Sequence, residues 1–419
     1  MQNKRAIVVD HMAVLPYGHN VEALRLYEAE LRGRGMDVVT LVSAHLPKGV
    51  EGADDYHRVL TYPYNGHVEA IRKYRDFPKV ATNLISNTRR RRDAIKYKGA
   101  HIAGLDLMGR AVRGNWEQML RKLKVTKADW IFFPSVDHYG LLCLLEVLQT
   151  LPVDRRPAVH GRMIGVMEGF TYSRDPGRTK LLKAVRAASI TGINISLSAE
   201  TPVYQDYLSA VLQTDIGYLT YPCIAPYSQS DWSRRPFQLT SPGQGRPDKG
   251  YFRLIAIRDE LKRHFERGTL TLTTQSMRKD DSSFSPRYQA LLQAKIDLEI
   301  APERVPSADI AGMYKNAHVL LLPYAQDIYA MRGSAVFQEG LAHGRPVVTF
   351  NNTGVASMVA RYGNGIAVKD DRTMADAIHQ LSQKPAAWIH NTTRRARDAY
   401  EADFTKSLDA ILATAFEKG

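Results

Sequence analysis

The stretch "FQLTSPGQGRPDKGYFRLIAIRDELKRHF" at residues 237–265 shows three elements of an α/β fold in succession. A short apolar run comes first, a loop rich in glycine and proline follows, and the last part has helical spacing. Strand, loop and helix in this order predict a βα unit, and repeated units of this kind build parallel sheets. We therefore expect a doubly wound domain to begin at this strand.

Similar patterns continue on both sides of this stretch. Apolar runs in the first half predict strands at residues 5–10, 36–42, 128–134, 157–161, 192–198 and 215–222. Those in the second half predict strands at residues 237–242, 269–275, 296–302, 318–324 and 346–350. A polar segment at residues 225–236 is predicted to be a linker. The expected fold class is α/β, with two doubly wound, Rossmann-like parallel-sheet domains that face a ligand-binding cleft.

Length and composition favour a cytoplasmic protein. A chain of 419 residues is too long for one ordinary core, and its composition, 44% hydrophobic and 24% charged, is globular. Two cysteines cannot form a disulfide framework, which favours a reducing compartment. The N-terminus shows no export signal, and the most apolar helical pattern, at residues 139–151, is too short to cross a bilayer.

The positive charge of the chain is concentrated in one block. The net charge is +14, and residues 72–127 contain sixteen Lys or Arg against four Asp or Glu. Such a block attracts anionic lipid headgroups or nucleic-acid phosphates, and it can also be a solvated face with no partner. We favour docking on an anionic membrane surface and expect no nucleic-acid partner.

The loop between the first strand and first helix of the second domain has the composition of an anion site. Gly243 and Gly245 allow close backbone approach, and Arg246 and Lys249 supply two positive charges. The N-terminus of the following helix adds partial positive charge. The loop lacks the Walker A spacing, so we predict a different diphosphate site. The alternative is an ordinary turn with exposed cations.

A second segment, residues 320–355, predicts a helix that begins near Gly333 and Ser334 after a strand that ends at Pro323. The N-terminus of this helix can bind the same phosphate. Glu339 lies within the helix, where it is either an ordinary surface residue or an acceptor for two sugar hydroxyls.

These two segments resemble the nucleotide-binding domain of GT-B glycosyltransferases, particularly the family-4-like retaining group of bacterial polysaccharide and lipid-linked sugar transferases. The resemblance implies that Arg246 and Lys249 bind the donor diphosphate and that Glu339, the second Glu of an E-x₇-E motif, contacts the ribose. The first Glu of that motif is replaced by Met331, which leaves the transferred sugar and the stereochemistry open. Asp327, Tyr329 and Arg332 are candidates for part of its role. The full predicted donor site is Gly243, Gly245, Arg246, Lys249, Tyr324, Arg332, Gly333, Ser334 and Glu339.

The first half resembles the same family more weakly. "PYGHN" at residues 16–20 matches the flexible glycine loop, and "AVHGR" at residues 158–162 places His160 where many members have a His near the reacting sugar. We predict catalytic roles for His160 as a diphosphate or sugar contact and for Asp137 and His138 as candidate bases. A structural His160 is the alternative. The predicted acceptor-binding residues are Asp10, Gly18 and His19, and Asp10 has a turn-stabilising role as its alternative.

The resemblance implies an acceptor-binding domain at residues 1–228, a nucleotide-sugar domain at residues 229–398, and a C-terminal helix at residues 399–419 that packs back on the first domain. The expected activity is transfer of a sugar from a UDP- or GDP-type donor to a lipid-linked or polysaccharide acceptor. We place it at the inner face of the cytoplasmic membrane, in envelope or exopolysaccharide synthesis.

No separate cofactor is expected. The sequence has no Asp-x-Asp triplet and no His/Cys cluster with metal spacing, which favours stabilisation of the diphosphate by Arg, Lys and helix termini. Two alternatives stay open. One is an epimerase or phosphorylase of the same fold, and the other is a non-catalytic membrane- or nucleic-acid-binding protein that retains the nucleotide site as a relic.

Overall fold

The computed structural model describes residues 4–14, 19–61, 107–165, 176–188, 190–222, 227–276, 290, 298–302, 305 and 307–417. The chain divides into two units. The first comprises Met1–Glu200, Gln205–Pro222 and Phe404–Gly419, and the second comprises Thr201–Tyr204 and Cys223–Asp403. Gly18 and the part of the basic block at residues 72–106 lie outside the described residues.

The first unit contains a seven-stranded sheet in the order β3-β2-β1-β4-β5-β6-β7, and the pairs of neighbouring strands are parallel. Its strands are β1 (Arg5–Asp10), β2 (Asp37–Ser43), β3 (His57–Leu60), β4 (Asp129–Phe133), β5 (Ala158–Met163), β6 (Ile195–Ala199) and β7 (Gly217–Tyr218). The strand order reverses direction between β1 and β4, which is the arrangement of a doubly wound sheet.

The second unit contains a six-stranded parallel sheet in the order β10-β9-β8-β11-β12-β13. Its strands are β8 (Phe237–Ser241), β9 (Leu270–Gln275), β10 (Leu298–Ala301), β11 (Val319–Leu322), β12 (Val347–Phe350) and β13 (Gly365–Val368). The predicted class, two parallel-sheet α/β domains, is confirmed.

Most of the helices connect successive strands, and the last two follow β13. In chain order they are α1 (His19–Gly33), α2 (Leu107–Lys122), α3 (His138–Thr150), α4 (Pro176–Ala188), α5 (Pro202–Leu212), α6 (Leu254–Leu261), α7 (Ser307–Asn316), α8 (Gln326–Tyr329), α9 (Ala335–Ala342), α10 (Gly354–Tyr362), α11 (Asp371–Ser382) and α12 (Ala386–Glu417). None of these described helices is both long enough and apolar enough to span a bilayer.

Each unit has its own core, because central strands of a parallel sheet are covered on both faces. All five residues of β4 and all four of β11 are buried. The core of the first unit also includes Phe404, Leu408 and Ile411 from the end of α12.

Four elements differ from the sequence prediction. β7 has two residues rather than the eight at 215–222. The predicted helix at 250–265 is shorter, since α6 begins only at Leu254 after two 3₁₀ turns at Pro247–Lys249 and Tyr251–Arg253. The edge strands β3 and β13 belong to the sheets, although neither was predicted.

Candidate functional site

Two loops of the second unit meet because of strand pairing. β8 and β11 are parallel neighbours, with Val319 opposite Leu239. Their carboxyl ends therefore lie at the same edge of the sheet, and so do the loops that follow them, at residues 242–250 and 323–334. This edge is where doubly wound sheets bind ligands.

Gly243 places the first loop directly against α9. Its φ is 90°, a left-handed conformation, and a Cβ there would lie 2.8 Å from Lys249 Nζ and 3.2 Å from Val336 Cγ2. A side chain would therefore displace the ammonium group or the first turn of α9. The glycine brings the loop backbone, the Lys249 ammonium and the start of this helix together.

The backbone at the end of the first loop contradicts one part of the prediction. The loop was expected to lead straight into a helix whose N-terminal amides face an anion. Instead the amides of Lys249 and Tyr251 donate to the Arg246 carbonyl at 3.1 Å and 3.3 Å, and the amide of Gly250 donates to the Pro247 carbonyl at 3.0 Å. Because these amides are already bonded, the cationic side chains and the N-terminus of α9 carry the anion-binding potential.

Arg246 is paired with a carboxylate that the sequence analysis did not single out. Its Nε and Nη2 atoms donate to Asp248 at 3.0 Å and 2.6 Å, and Nη2 also donates to the Tyr329 hydroxyl at 3.0 Å. Burial alone would raise the pKa of Asp248, but the charge of Arg246 outweighs it and the pKa is lowered. Asp248 is therefore ionised, while 38% of the Arg246 side chain stays exposed.

The second loop supplies further predicted residues. The Tyr324 hydroxyl lies 3.0 Å from Ser334 Oγ, and the Tyr324 and Tyr329 rings are 4.3 Å apart. The Arg332 guanidinium lies 4.6 Å from the Tyr329 ring centroid. Ser334 follows Gly333 and caps α9, accepting from the amide of Phe337 at 3.3 Å. These contacts hold Arg332 and the N-terminus of α9 beside Arg246.

Lys249 is a cation of this cluster whose pKa is lowered. Burial lowers its pKa to about 8, and the positive charges of Arg246 and Arg332 lower it as well, whereas Asp248 and Glu339 oppose the shift. The lowered pKa means that the Lys249 ammonium is poorly solvated and lies beside other positive charges. A bound anion would restore its ordinary pKa.

This pKa predicts a pH-dependent affinity for nucleoside diphosphates. Above pH 8 the free site loses its Lys249 proton, and an anion must recover that proton to bind. We expect the affinity for UDP to be constant below about pH 8 and to fall up to about tenfold per pH unit above it. Calorimetric titrations between about pH 7 and 9 measure this, since the terminal phosphate of UDP stays ionised over this range.

The control for this titration is Lys249→Arg. An arginine keeps its charge across the whole range, so its profile should be flat. A wild-type profile as flat as that of the variant would contradict the assignment.

Glu339, in α9, is oriented by a tyrosine that sequence reasoning missed. The buried Tyr314 hydroxyl forms a side-chain hydrogen bond with Glu339, and burial together with this carboxylate raises the Tyr314 pKa well above its ordinary value. The Tyr314 ring stacks on His343, with centroids 5.3 Å apart, and the His343 amide donates to the Glu339 carbonyl at 2.9 Å. The Arg345 Nε donates to the Tyr314 carbonyl at 2.7 Å. Glu339 therefore lies in a fixed position.

Removal of the Tyr314 hydroxyl should weaken nucleotide binding. Tyr314→Phe leaves the ring stack intact but frees the Glu339 carboxylate to rotate. We expect the affinity for UDP to fall about three- to tenfold, the effect of one lost hydrogen bond. Tyr362→Phe is the matched control, because it removes a buried hydroxyl that bonds Asp403 at 3.2 Å. Equal affinities of both variants and wild type would show that Tyr314 does not position Glu339.

Comparison with known proteins agrees with this geometry. Residues 248–384 match the family model of glycosyl transferases group 1. Sucrose-phosphate synthase from Thermosynechococcus elongatus superimposes with a TM-score of 0.64 and 16% identity, covering 98% of this chain and 96% of that chain. The UDP-forming α,α-trehalose-phosphate synthase from Burkholderia xenovorans gives a TM-score of 0.62, 12% identity and 99% coverage of both chains.

The chain has the GT-B fold. An E. coli trehalose-6-phosphate structure bound with UDP-2-fluoro glucose is also similar, with a TM-score of 0.61, 11% identity, and 98% of this chain and 99% of that chain covered. No curated protein sequence matches the chain. The resemblance to GT-B glycosyltransferases that the sequence indicated is confirmed, and the findings support a glycosyltransferase of this type.

His160 does not lie where the prediction placed it in the GT-B fold. It was expected at a strand end, but β5 extends to Met163, and His160 is fully buried inside the strand. Its Nδ1 lies 2.7 Å from Ser196 Oγ and its Nε2 lies 2.9 Å from Ser198 Oγ. Burial, and then the charge of Arg162, lowers its pKa to about 3. The neutral imidazole joins β5 to β6, which fits the structural alternative.

Asp137 and His138 lie at the start of α3, beyond the end of β4. Asp137 is the N-cap residue and accepts from the amide of Gly140 at 2.9 Å. Its carboxylate also lies 3.6 Å from Nε2 of His11, a neighbour that the sequence analysis did not identify. His11, Asp137 and His138 are all buried. Asp137 thus has a structural role, and catalysis by either predicted residue stays a prediction.

Of the acceptor-binding candidates, the structure describes Asp10 and the backbone position of His19. Asp10 is buried at the end of β1 and accepts from the amide of Met12 at 2.7 Å, and burial raises its pKa to about 7. His19 is the first residue of α1. Asp10 therefore closes a turn, as its alternative role required.

Arg162 is a further buried residue that the prediction missed. It donates to the carbonyls of Leu219 and Pro134 at 2.7 Å and 3.0 Å and lies 4.1 Å from the Tyr221 ring centroid.

Across the described ranges of both units, no group of three or more His, Cys, Asp or Glu side chains is placed to hold a metal ion.

Proposed function

We propose that the protein transfers a sugar from a nucleoside-diphosphate donor bound by the second unit. The observation that supports this best is the convergence of Arg246, Lys249 and the N-terminus of α9 at the carboxyl edge of β8 and β11. Fixed positive groups around one point favour a diphosphate over a neutral ligand. UDP is the first choice of nucleotide because two similar structures name UDP or a UDP-sugar, and GDP is the second.

The proposed reaction breaks the bond between the anomeric carbon and the diphosphate oxygen. That oxygen keeps the bonding electrons, and the acceptor hydroxyl forms a bond to the anomeric carbon and releases its proton. Negative charge therefore grows on the departing diphosphate. Arg246, Lys249 and the dipole of α9 stabilise this charge without reorganisation, and we propose that they act in place of a divalent cation.

Retention of the anomeric configuration is what the family resemblance implies, and we propose it here. Met331 stands where that family has a glutamate near the transferred sugar. Its backbone packs tightly, because a Cβ on Gly354 would lie 3.0 Å from the Met331 carbonyl carbon and 2.4 Å from the Arg332 carbonyl oxygen. We propose that Tyr329 and Arg332 contact the sugar in place of the missing carboxylate.

We propose that the first unit binds a lipid-linked or polysaccharide acceptor at the cytoplasmic face of the membrane, in envelope or exopolysaccharide synthesis. The described part of the basic block supports this. α2 is anchored by its buried Trp116, whose Nε1 donates to the Gly140 carbonyl at 2.9 Å. Around this anchor the segment exposes Arg110, Arg121, Lys122, Lys124 and Lys127.

Charge reversal on this segment tests the membrane role. Arg121→Glu, Lys122→Glu and Lys124→Glu together should weaken sedimentation with phosphatidylglycerol vesicles by about 100-fold or more, at roughly 1 kcal/mol per basic residue. The matched control reverses three exposed cations of the second unit, Lys262, Arg267 and Arg372. Equal loss in both triple variants would contradict a specific docking face, and so would equal binding to phosphatidylcholine vesicles.

Donor turnover tests the activity itself. The purified chain is incubated with UDP-glucose, UDP-N-acetylglucosamine and GDP-mannose, with and without bacterial lipid extract, and released nucleotide is quantified. Lipid-dependent release of one nucleotide, with an α-linked product by NMR, is the expected result. Nucleotide binding without release under any condition would favour the non-catalytic alternative, which Met331 also favours.

A further inference from the structure

The second unit includes one short segment from the first half of the chain. Thr201–Tyr204 belongs to this unit together with Cys223–Asp403, although the residues on either side of the segment belong to the first unit. The segment consists of Thr201 and the first turn of α5, which begins at Pro202. Thr201 therefore packs with the unit that carries the donor loops.

The Thr201 hydroxyl contacts the loop that precedes α9. Its Oγ1 donates to the Met331 carbonyl at 2.9 Å and accepts from the amide of Tyr204 at 3.3 Å. Thr201 is 0% exposed, so water does not compete for either bond. This one side chain thus caps the first turn of α5 and holds the backbone of the second donor loop.

The bond is made at the position where the family motif lacks its first glutamate. Because Thr201 bonds the main chain of Met331, the contact does not depend on the side chain at this position. A peptide bond is planar and trans, so its carbonyl and its amide point in opposite directions. With the Met331 carbonyl directed towards Thr201, the amide of Arg332 is fixed on the opposite side of the loop.

The same peptide is packed from another side by α10. A Cβ on Gly354, the first residue of that helix, would lie 2.4 Å from the Arg332 carbonyl oxygen. The Arg332 guanidinium lies over the Tyr329 ring, 4.6 Å from its centroid. The backbone of residues 331–332 is therefore held between the Thr201 hydroxyl and α10, and this hold also sets where the Arg332 side chain begins.

We propose that Thr201 is a positioning residue for the sugar half of the donor. Its hydroxyl holds the peptide between Met331 and Arg332 in the orientation in which Arg332 contacts the transferred sugar. This inference rests on the proposed function, which assigns the sugar contact to the second donor loop. Because Arg246 and Lys249 bind the diphosphate, loss of the Thr201 hydroxyl should affect a nucleotide sugar and spare the free nucleotide.

The test compares each nucleotide sugar with its own nucleoside diphosphate, using calorimetric titration of the full chain. UDP-glucose and UDP-N-acetylglucosamine are compared with UDP, and GDP-mannose with GDP. Thr201→Val keeps the shape of the side chain but cannot donate. It should lower the affinity for the best-bound nucleotide sugar about three- to tenfold and change the affinity for the nucleotide less than about twofold. Thr201→Ser keeps the hydroxyl and should bind both ligands as the wild type does.

Thr393→Val is the matched control. Thr393 is 1% exposed, and its hydroxyl donates to the Ile389 carbonyl of α12 at 3.0 Å. This variant loses a buried hydroxyl of the same kind, yet both affinities should stay unchanged. Melting temperatures of all variants show whether each one folds.

Gly354→Ala is a second, independent variant. It pushes on the Arg332 carbonyl from the side of α10 and leaves the Thr201 hydroxyl in place. The affinity for the nucleotide sugar should fall more than that for the nucleotide here as well. This variant decides the question should Thr201→Val fail to fold, since an unchanged affinity for the nucleotide sugar would overturn the positioning role.

The outcomes separate this inference from the proposed function. Equal losses for nucleotide and nucleotide sugar in Thr201→Val, or no loss for either, would overturn the positioning role and leave the donor site intact. Failure of the wild type to bind any of the probes would contradict the proposed function and the positioning role with it. A loss for the nucleotide sugar alone, restored in Thr201→Ser, is the expected result.

Discussion

Replacing Arg246 and Lys249 together with alanine should lower the affinity for UDP by about 10²- to 10⁴-fold. Each residue is expected to make charge-assisted hydrogen bonds to the diphosphate, worth about 1.5–3 kcal/mol apiece. Arg246→Ala also leaves the Asp248 carboxylate, now 2.6 Å from Arg246 Nη2, facing the anion without its partner. Calorimetric titration with UDP, GDP and ADP measures the loss and identifies the preferred base at the same time.

Two further variants make this experiment specific. Lys262→Ala removes an exposed lysine of the same unit, paired with Asp259 at 3.2 Å, and should leave the affinity unchanged. Asp248→Asn should tighten UDP binding, because it releases the Arg246 guanidinium from its carboxylate partner. An unchanged affinity in the double alanine variant would refute the donor site.

Gly250→Ala should be the most destabilising single substitution at this site. Gly250 has a φ of 74°, and a Cβ there would lie 1.9 Å from the Pro323 carbonyl oxygen. The left-handed backbone costs about 1–2 kcal/mol for alanine, and the overlap adds about 1–3 kcal/mol. The melting temperature of the second unit should therefore fall by roughly 5–20 °C.

Gly268→Ala is the control for this effect. Gly268 has a φ of 80°, but a Cβ there would meet nothing within 4 Å. Both variants place an alanine in a left-handed backbone conformation, but only Gly250→Ala adds an overlap with Pro323. The difference between their melting temperatures therefore measures the effect of that overlap. UDP affinity should fall in Gly250→Ala only, because the two donor loops touch at this contact. Equal melting temperatures would show that the loops are not tightly packed there.

The fold could be predicted where strands are covered on both faces. β4 and β11 are uninterrupted apolar runs because each lies in the middle of its sheet. The edge strands β3 and β13 expose part of their surface. The sequence of β3, "HRVL", is half polar, and that of β13, "GIAV", is apolar but short and begins with glycine, so neither strand was predicted. The shortened α6 reflects Gly250, whose left-handed backbone interrupts the helical pattern that its neighbours suggest.

The residues of the site could be predicted only where neighbouring positions in the sequence form a recognisable pattern. Arg246 and Lys249 were identified because glycines and cations share one loop. Tyr329 contacts Arg246 across 83 positions of sequence, and Tyr314 reaches Glu339 from a preceding helix, so no local spacing could reveal either. His160 was misplaced because a run of apolar residues does not show where a strand ends. Ser196 and Ser198 bond its two ring nitrogens and lie two residues apart on one face of β6. This spacing was the feature of the sequence that could have indicated a structural role for His160.

The pair formed by Arg246 and Asp248 has a consequence for selectivity among anions. A carboxylate two residues away in the chain is an internal competitor with a high effective concentration, and it never diffuses away. Inorganic phosphate or sulfate, which offers little else to the site, must compete with it for the same guanidinium. A nucleoside diphosphate contacts additional groups of the site at the same time. It can therefore replace Asp248 as the partner of the Arg246 guanidinium. We therefore expect the site to bind free inorganic phosphate weakly and to bind an anion tightly only when that anion is attached to a nucleoside.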